Sequence, residues 1–573
     1  MISSVGSQNS FDAIHLVTTV TNQPSSAHIN GMNTDYIRRK TFFKILRRRA
    51  RTTQLSGPPS PSWLFGVGHI LRAASDAASM YEGWSHAHGY VYALPAAFST
   101  RRIILMDMDT KAIAHFCARD TYGYVQMKQL KVAVQALLGN RILSAEGDSH
   151  KRQRKTLTPA LSNVTIRQLT PIFFDSGCKV KTAWDALIEA GTTDESLIEV
   201  QTWMNNVSLD SIGLAGFAHD FNTLRGKKPT VAAILDTFGN SVPSTLQGII
   251  LVLAPVVPWL MKLPTHRRRM VHRLNRRMGE IVDVMLERSR GVGGEKYLER
   301  SVIGLLLKAE RNKEVISQDE MKGMIMAGYE TTSSETHSLL SSCLSSSDYT
   351  SSPVGLTWAL IELSKNLEIQ TKLRDELAQF GTVDPTWDQL TNSLPYLDAV
   401  VQETLRTHPP VLEVTRLAME EDVVPLSTPT RAADGSSVDR IAIAHGMLVT
   451  VPIAAIQLSE DVCGSDAKMF KPERWLTNDN SDAARARELA GHRALLAFFD
   501  GPRKCLGKAF ALAEFKELLS VLVRNFAFEL RDGPGTKVET KVAILPRLAI
   551  EGEKGTRVGE KGTRVPLRVR RLG

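Results

Sequence analysis

Apolar residues recur every three or four positions over most of this chain. Residues 127–138, 170–190, 271–289, 355–364, 367–380, 397–406 and 508–523 each gather them on one side of a 3.6-residue turn, which predicts amphipathic helices. Short alternating runs at 441–452 and 537–545 predict strands. From Trp63 to about Ile550 no linker is long enough to divide the chain. The pattern therefore predicts one large domain over 56–550, mainly α with a small β part.

Four segments break this rhythm. Residues 1–55 are polar and basic, and are expected to be poorly packed or membrane-proximal. Residues 246–263 are strongly apolar, but Gly248, Pro255 and Pro258 interrupt them and His266, Arg267, Arg268 and Arg269 follow. An apolar run beside a cationic cluster suits an element dipping into a membrane surface; a buried core helix with a basic exit is the alternative. Residues 334–353 are serine-rich and interrupt what otherwise reads as one helix, so a non-native insertion, a retained intron, is expected there. A transcript coding continuously through them as a normal exon would refute that reading. Residues 552–558 repeat as 559–565, a duplicated loop before a final strand at 566–571.

Composition narrows the class. A hydrophobic share of 43% is that of a globular protein with a large core. The formal charge is +10, which would suit nucleic acid, but aromatics are 6% and no nucleic-acid motif is present. An anionic membrane surface or an acidic partner protein fits better. The five cysteines form no C-x-x-C pair, which argues against a zinc site or a disulfide framework.

One of those cysteines stands apart. Phe498, Gly501, Arg503, Cys505 and Gly507 form the pattern F-x-x-G-x-R-x-C-x-G. A glycine-bent apolar loop thereby delivers one thiol to the start of the helix predicted at 508–523. Helix amides, Arg503 and Lys504 are expected to favour its thiolate. A lone thiolate in such a loop suits an axial ligand of haem iron, where it pushes electron density onto the metal. A buried structural cysteine before a helix is the alternative. Upstream, Glu403 and Arg406 stand three apart and can pair on one helix face. Phe470-Lys471-Pro472-Glu473-Arg474-Trp475 follows about seventy residues later.

The thiol loop, taken with these segments in this order, resembles the cytochrome P450 family, over about residues 55–570. The resemblance implies a P450 fold around a buried haem b with Cys505 as the metal ligand. It implies that Glu403, Arg406 and Arg474 form a buried network behind the haem that locks the Cys505 loop. Ala327-Gly328-Tyr329-Glu330-Thr331-Thr332 is similar to the family's oxygen-activation motif. Gly328 would leave space for dioxygen, and Glu330 with Thr331 would form a catalytic acid–alcohol pair. His150 and Arg154, four apart, are expected on a helix face toward the haem propionates, with Arg503 as a third partner.

The implied reaction is insertion of one oxygen atom from O2 into a lipophilic substrate, using electrons from NADPH through a P450 reductase. The resemblance is to fungal, basidiomycete-type members, which implies terpenoids, other secondary metabolites or aromatic xenobiotics as substrates. It also implies residence on the cytosolic face of the endoplasmic reticulum membrane, although no N-terminal anchor is evident. Two alternatives stay open: a P450-type isomerase or dehydratase needing no external electrons, and a non-catalytic haem protein disabled by the 334–353 insertion.

Overall fold

The structure is a computed structural model. It describes residues 51–229, 352–476, 495–541, 547–550 and 565–572, short gaps apart, with isolated positions between 263 and 304. The longer helices are α1 (Ala77–His88), α2 (Thr110–Ala118), α3 (Lys128–Leu138), α4 (Gly147–Leu157), α5 (Asn163–Glu189), α6 (Val200–Phe217), α7 (Ser352–Lys365), α8 (Leu367–Ala378), α9 (Pro395–Thr407) and α10 (Lys508–Asn525). The strands are β1 (Val91–Pro95), β2 (Arg101–Leu105), β3 (Tyr124–Val125), β4 (Glu195–Glu199), β5 (Val414–Ala418), β6 (Asp422–Arg431), β7 (Ser437–Ile443), β8 (Leu448–Val451), β9 (Phe526–Leu530), β10 (Val538–Lys541), β11 (Arg547–Ile550) and β12 (Pro566–Arg571).

Two hydrophobic cores divide the molecule. The first lies among α5, α6, α7, α9 and α10. There α10 runs along α5: Phe510 meets Phe173 edge-on at 4.9 Å, and Val521 fills the space left by Gly177, where an added Cβ would come within 3.1 Å. Trp184 is fully buried and packs on Trp203, Phe526 and Phe528. The second core covers a five-stranded sheet ordered β1-β2-β8-β5-β3. Within it β2 and β8 run parallel, while β8 and β5 run antiparallel. Smaller sheets are the β6–β7 pair, the β10–β11 pair and a β4-β12-β9 trio.

The mainly α reading with a small β part is borne out, and the helices over 127–138, 355–364, 367–380, 397–406 and 508–523 appear within a few residues of the expected bounds. Two expectations need correcting. The helix read from 170 starts at Asn163, because Ser162 caps it by accepting from the Thr165 amide. Pro171 removes one amide donor but does not end the helix. Residues 441–452 are not one strand: β7 stops at Ile443, Gly446 turns the chain at φ +83°, and β8 joins a different sheet. Alternation runs on through the turn, so periodicity alone could not find the break. The segments at 246–263 and 271–289 lie wholly or largely outside the described residues, as does most of 334–353; its last two residues, Ser352 and Pro353, open α7. No helix among the described residues is long and apolar enough to cross a membrane.

Candidate functional site

The Cys505 loop joins the two cores. Leu496 is buried in the sheet core and Ala497 in the helical core. The chain then reverses through Phe499 at φ +55° and Gly501 at φ +70°, and the Cys505 amide donates to the Phe498 carbonyl at 2.8 Å. Gly501 is required twice over. Its φ is one that side chains rarely tolerate, and a Cβ there would lie 2.3 Å from the Cys117 carbonyl oxygen at the end of α2. Gly507, by contrast, has open space around it.

Cys505 is exposed as a residue, yet enough protein surrounds its thiol to desolvate it. Burial pushes its thiol pKa up; the Gly507 amide, Arg154 and Lys508 pull the other way without prevailing. The expected help from Arg503 and Lys504 is therefore corrected. Arg503 is turned to Asp120 and the Ala145 carbonyl, and Arg154 on α4 takes its place beside the sulfur. In the protein alone burial favours the thiol; a metal ion bound to the sulfur would favour the thiolate.

Next to the thiol, basic groups gather. His150 and Arg154 stand one turn apart on α4. Arg416, from β5, donates through Nε to Asp120 Oδ1 at 3.0 Å. Arg503 donates to Ala145 O at 2.6 Å, and its buried Nε pairs with Asp120 Oδ1 at 3.4 Å. Asp120 is shared further, since it accepts from the Thr121 amide. Glu146, the other nearby acid, is engaged by Lys131 Nζ at 2.6 Å and the Gln126 amide.

Positive charge thus exceeds what the acids offset. Burial and the Arg416 charge bring Arg503 down to about 10, and burial with the Arg503 and Arg154 charges brings His150 down to about 4. His150 is consequently neutral at pH 7 in the protein alone. Guanidinium groups in excess of their acids, beside a thiol in an apolar loop, could hold an anionic group through the arginines and a metal through the sulfur.

Behind the loop, Glu403 and Arg406 of α9 are almost wholly buried. Arg406 grips Glu403 with Nε and Nη2, both at 2.8 Å, and donates to the carbonyls of Gln457, Ala467 and Met469. Glu403 also accepts from Trp475 Nε1 at 2.9 Å and the Lys471 amide at 2.9 Å, with Arg474 Nε at 3.5 Å. Arg474 in turn binds the Cys463 and Asp466 carbonyls. One carboxylate therefore ties α9 to the 463–475 segment. The C-terminal end of α9 continues this polar seam: His408 stacks on Trp358 at 3.7 Å and meets Glu362 at 3.2 Å.

Sequence reasoning missed Asp120 and Arg416. Both are single polar residues in short elements, with no spacing signal linking them to Cys505. It also missed two buried acids of α10, Glu514 and Glu517. Burial raises Glu514 to about 8 and Glu517 well above the carboxylate range. Among the described residues three of their oxygens make no well-aligned hydrogen bond, although the Ser211 and Thr170 hydroxyls lie close enough to oppose part of the burial effect. Gly328, Glu330 and Thr331 lie outside the described residues.

Comparison with known proteins points the same way. The family model described as Cytochrome P450 matches residues 58–550. Cytochrome P450 monooxygenase claQ of Ampulloclitocybe clavipes is 47% identical over 541 residues, covering 92% of this chain and 95% of its own length. Cytochrome P450 monooxygenase claU of the same fungus is 44% identical over 545 residues, covering 93% and 95%. Cytochrome P450 monooxygenase 128 of Postia placenta is 31% identical over 531 residues, covering 88% and 91%.

Proposed function

The chain belongs to the cytochrome P450 family, oxidoreductases that bind haem through a cysteine thiolate, and on that premise we propose how its own residues serve a monooxygenase reaction. Cys505 is the thiolate ligand. Haem, when bound, supplies the iron at which O2 is activated, and a thiolate ligand favours O–O cleavage. The Gly507 amide points at the sulfur and steadies its negative charge. Arg154, Arg416, Arg503 and neutral His150 would hold the two propionates, which would relieve the excess positive charge around them. Gly501 lets the loop approach α2 closely enough to hold the sulfur in place. The Glu403, Arg406 and Arg474 network keeps the segment behind the loop rigid. Thr331 would donate a proton from its hydroxyl and Glu330 would resupply it, with Gly328 in the same motif as the residue that would leave room for O2.

Electrons come from NADPH through a P450 reductase, and the acceptor is a lipophilic compound: a terpenoid, another secondary metabolite or an aromatic xenobiotic. The site is the cytosolic face of the endoplasmic reticulum membrane, a reading supported by the basic stretch at 38–51 and the cluster at 267–277. The observation that carries the proposal is the meeting of one desolvated thiol with an under-neutralised basic cluster. The test is reconstitution of purified protein with haem, reductase and NADPH against a panel of lipophilic compounds. Substrate-dependent NADPH consumption with oxygenated product supports it. Haem uptake with product formed without NADPH would favour an isomerase or dehydratase, and haem uptake with no turnover on any compound a non-catalytic haem protein.

A further inference from the structure

A second buried ionic group lies on the opposite side of the strand that carries Arg416. Glu413 Oε1 accepts from Arg102 Nη1 at 3.0 Å, and Glu413 Oε2 accepts from the Tyr81 hydroxyl at 2.7 Å. Arg102 Nη2 closes the triangle by donating to the Tyr81 oxygen at 2.7 Å, and the Tyr92 hydroxyl donates to the Tyr81 carbonyl. All three members are buried. Neither the thiol site nor the Glu403 network uses them.

Sheet register shows what they hold. Thr415 of β5 stands opposite Thr450 of β8, and their hydroxyls meet at 2.9 Å. Arg102 of β2 stands opposite Leu448, two residues from Thr450, so it shares that face. Glu413 immediately precedes β5, and its bond to Arg102 brings it to the face that Arg102 occupies. Arg416 is one residue on and therefore projects from the other face, toward Asp120. A slip of one residue in β5 would exchange the two faces. It would bury Arg416 away from the thiol site and leave Arg102 without its carboxylate, so the ionic triangle penalises the slip.

We propose that Glu413, held by Arg102 and Tyr81, is a positioning residue that fixes the register of β5 and thereby sets Arg416 at the edge of the cofactor site. The inference rests on the haem site proposed above. Its test is a double-mutant cycle read as the rate of haem transfer to excess apomyoglobin, with the reduced carbon monoxide spectrum showing whether thiolate ligation persists. In an otherwise native background, Glu413→Gln is expected to release haem about tenfold faster, and Tyr81→Phe to release it faster by a smaller factor. In an Arg416→Ala background, either substitution is expected to change the rate by less than about twofold. The same factor in both backgrounds would overturn the proposal, because it would show action by a route other than Arg416. Native release rates in both single variants would overturn it as well. Should Glu413→Gln not fold, the Tyr81→Phe cycle decides alone, since that change strands no charge. Failure of the unaltered protein to take up haem would sink the haem site itself, an outcome separable from an additive cycle.

Discussion

Arg406→Lys isolates geometry from charge in the network behind the Cys505 loop. The substitution keeps a cation beside Glu403, so the buried carboxylate is not left bare. What it removes is the planar fork. Arg406 now makes two bonds to Glu403 and reaches three carbonyls, those of Gln457, Ala467 and Met469. A lysine ammonium has three donors on one atom and cannot span both sets. At least two buried acceptors lose a partner, at about 1–3 kcal/mol each, so about 3 kcal/mol of destabilisation is expected. Arg406→Met removes the charge too, and breaking a buried pair costs about 3–5 kcal/mol before the orphaned carbonyls are counted. Against a total stability of about 5–15 kcal/mol, the Met variant is expected to fail to hold its fold or its haem. Urea unfolding of each variant, followed by intrinsic fluorescence, reads the difference in midpoint. An Arg406→Lys protein within about 0.5 kcal/mol of the native one would refute the claim that the fork is needed.

Other outcomes follow from the same geometry. Gly501→Ala is expected to lose thiolate-ligated haem, because its Cβ meets the Cys117 carbonyl at 2.3 Å and its φ is +70°; a native haem spectrum would contradict this. Glu514 sits neutral in the fold, with a pKa near 8 against 4.5 in the unfolded chain. The raised value means that its stabilising contribution is full below about pH 4.5 and is lost as pH rises toward 8. Glu514→Gln should flatten that loss and stabilise the protein at pH 8 by up to about 4 kcal/mol, read as urea midpoints across the range; an unchanged pH slope would show that Glu514 is hydrated in the fold. Thr331→Ala is expected to keep haem while NADPH use outruns product, and unchanged coupling would assign Thr331 to packing.

The sequence made the thiol loop readable because its constraints are local. Gly501 must bend, Cys505 must follow within a few residues, and a helix must start at Lys508, so all the signals fall inside one short window. Glu403 and Arg406 were readable for a similar reason, being one turn apart on α9. Their true reach was not: the carbonyls of Gln457, Ala467 and Met469 bind Arg406 without any side-chain pattern to show it. Asp120 and Arg416 stayed hidden because their pairing spans 296 positions. The turn at Gly446 stayed hidden because the alternation on either side of it is in phase. Charge state was the least legible property. His150 and Cys505 carry residue types that suggest a cation and an anion, yet burial keeps both neutral in the protein alone.

Ligation of haem iron by the Cys505 sulfur is tested most directly by the carbon monoxide difference spectrum of the reduced, haem-reconstituted protein beside its Cys505→Ala variant. The native protein should show the red-shifted Soret band of a thiolate-ligated haem, and the variant should lack it. The same band in both, or its absence from a native protein that has taken up haem, would contradict the assignment.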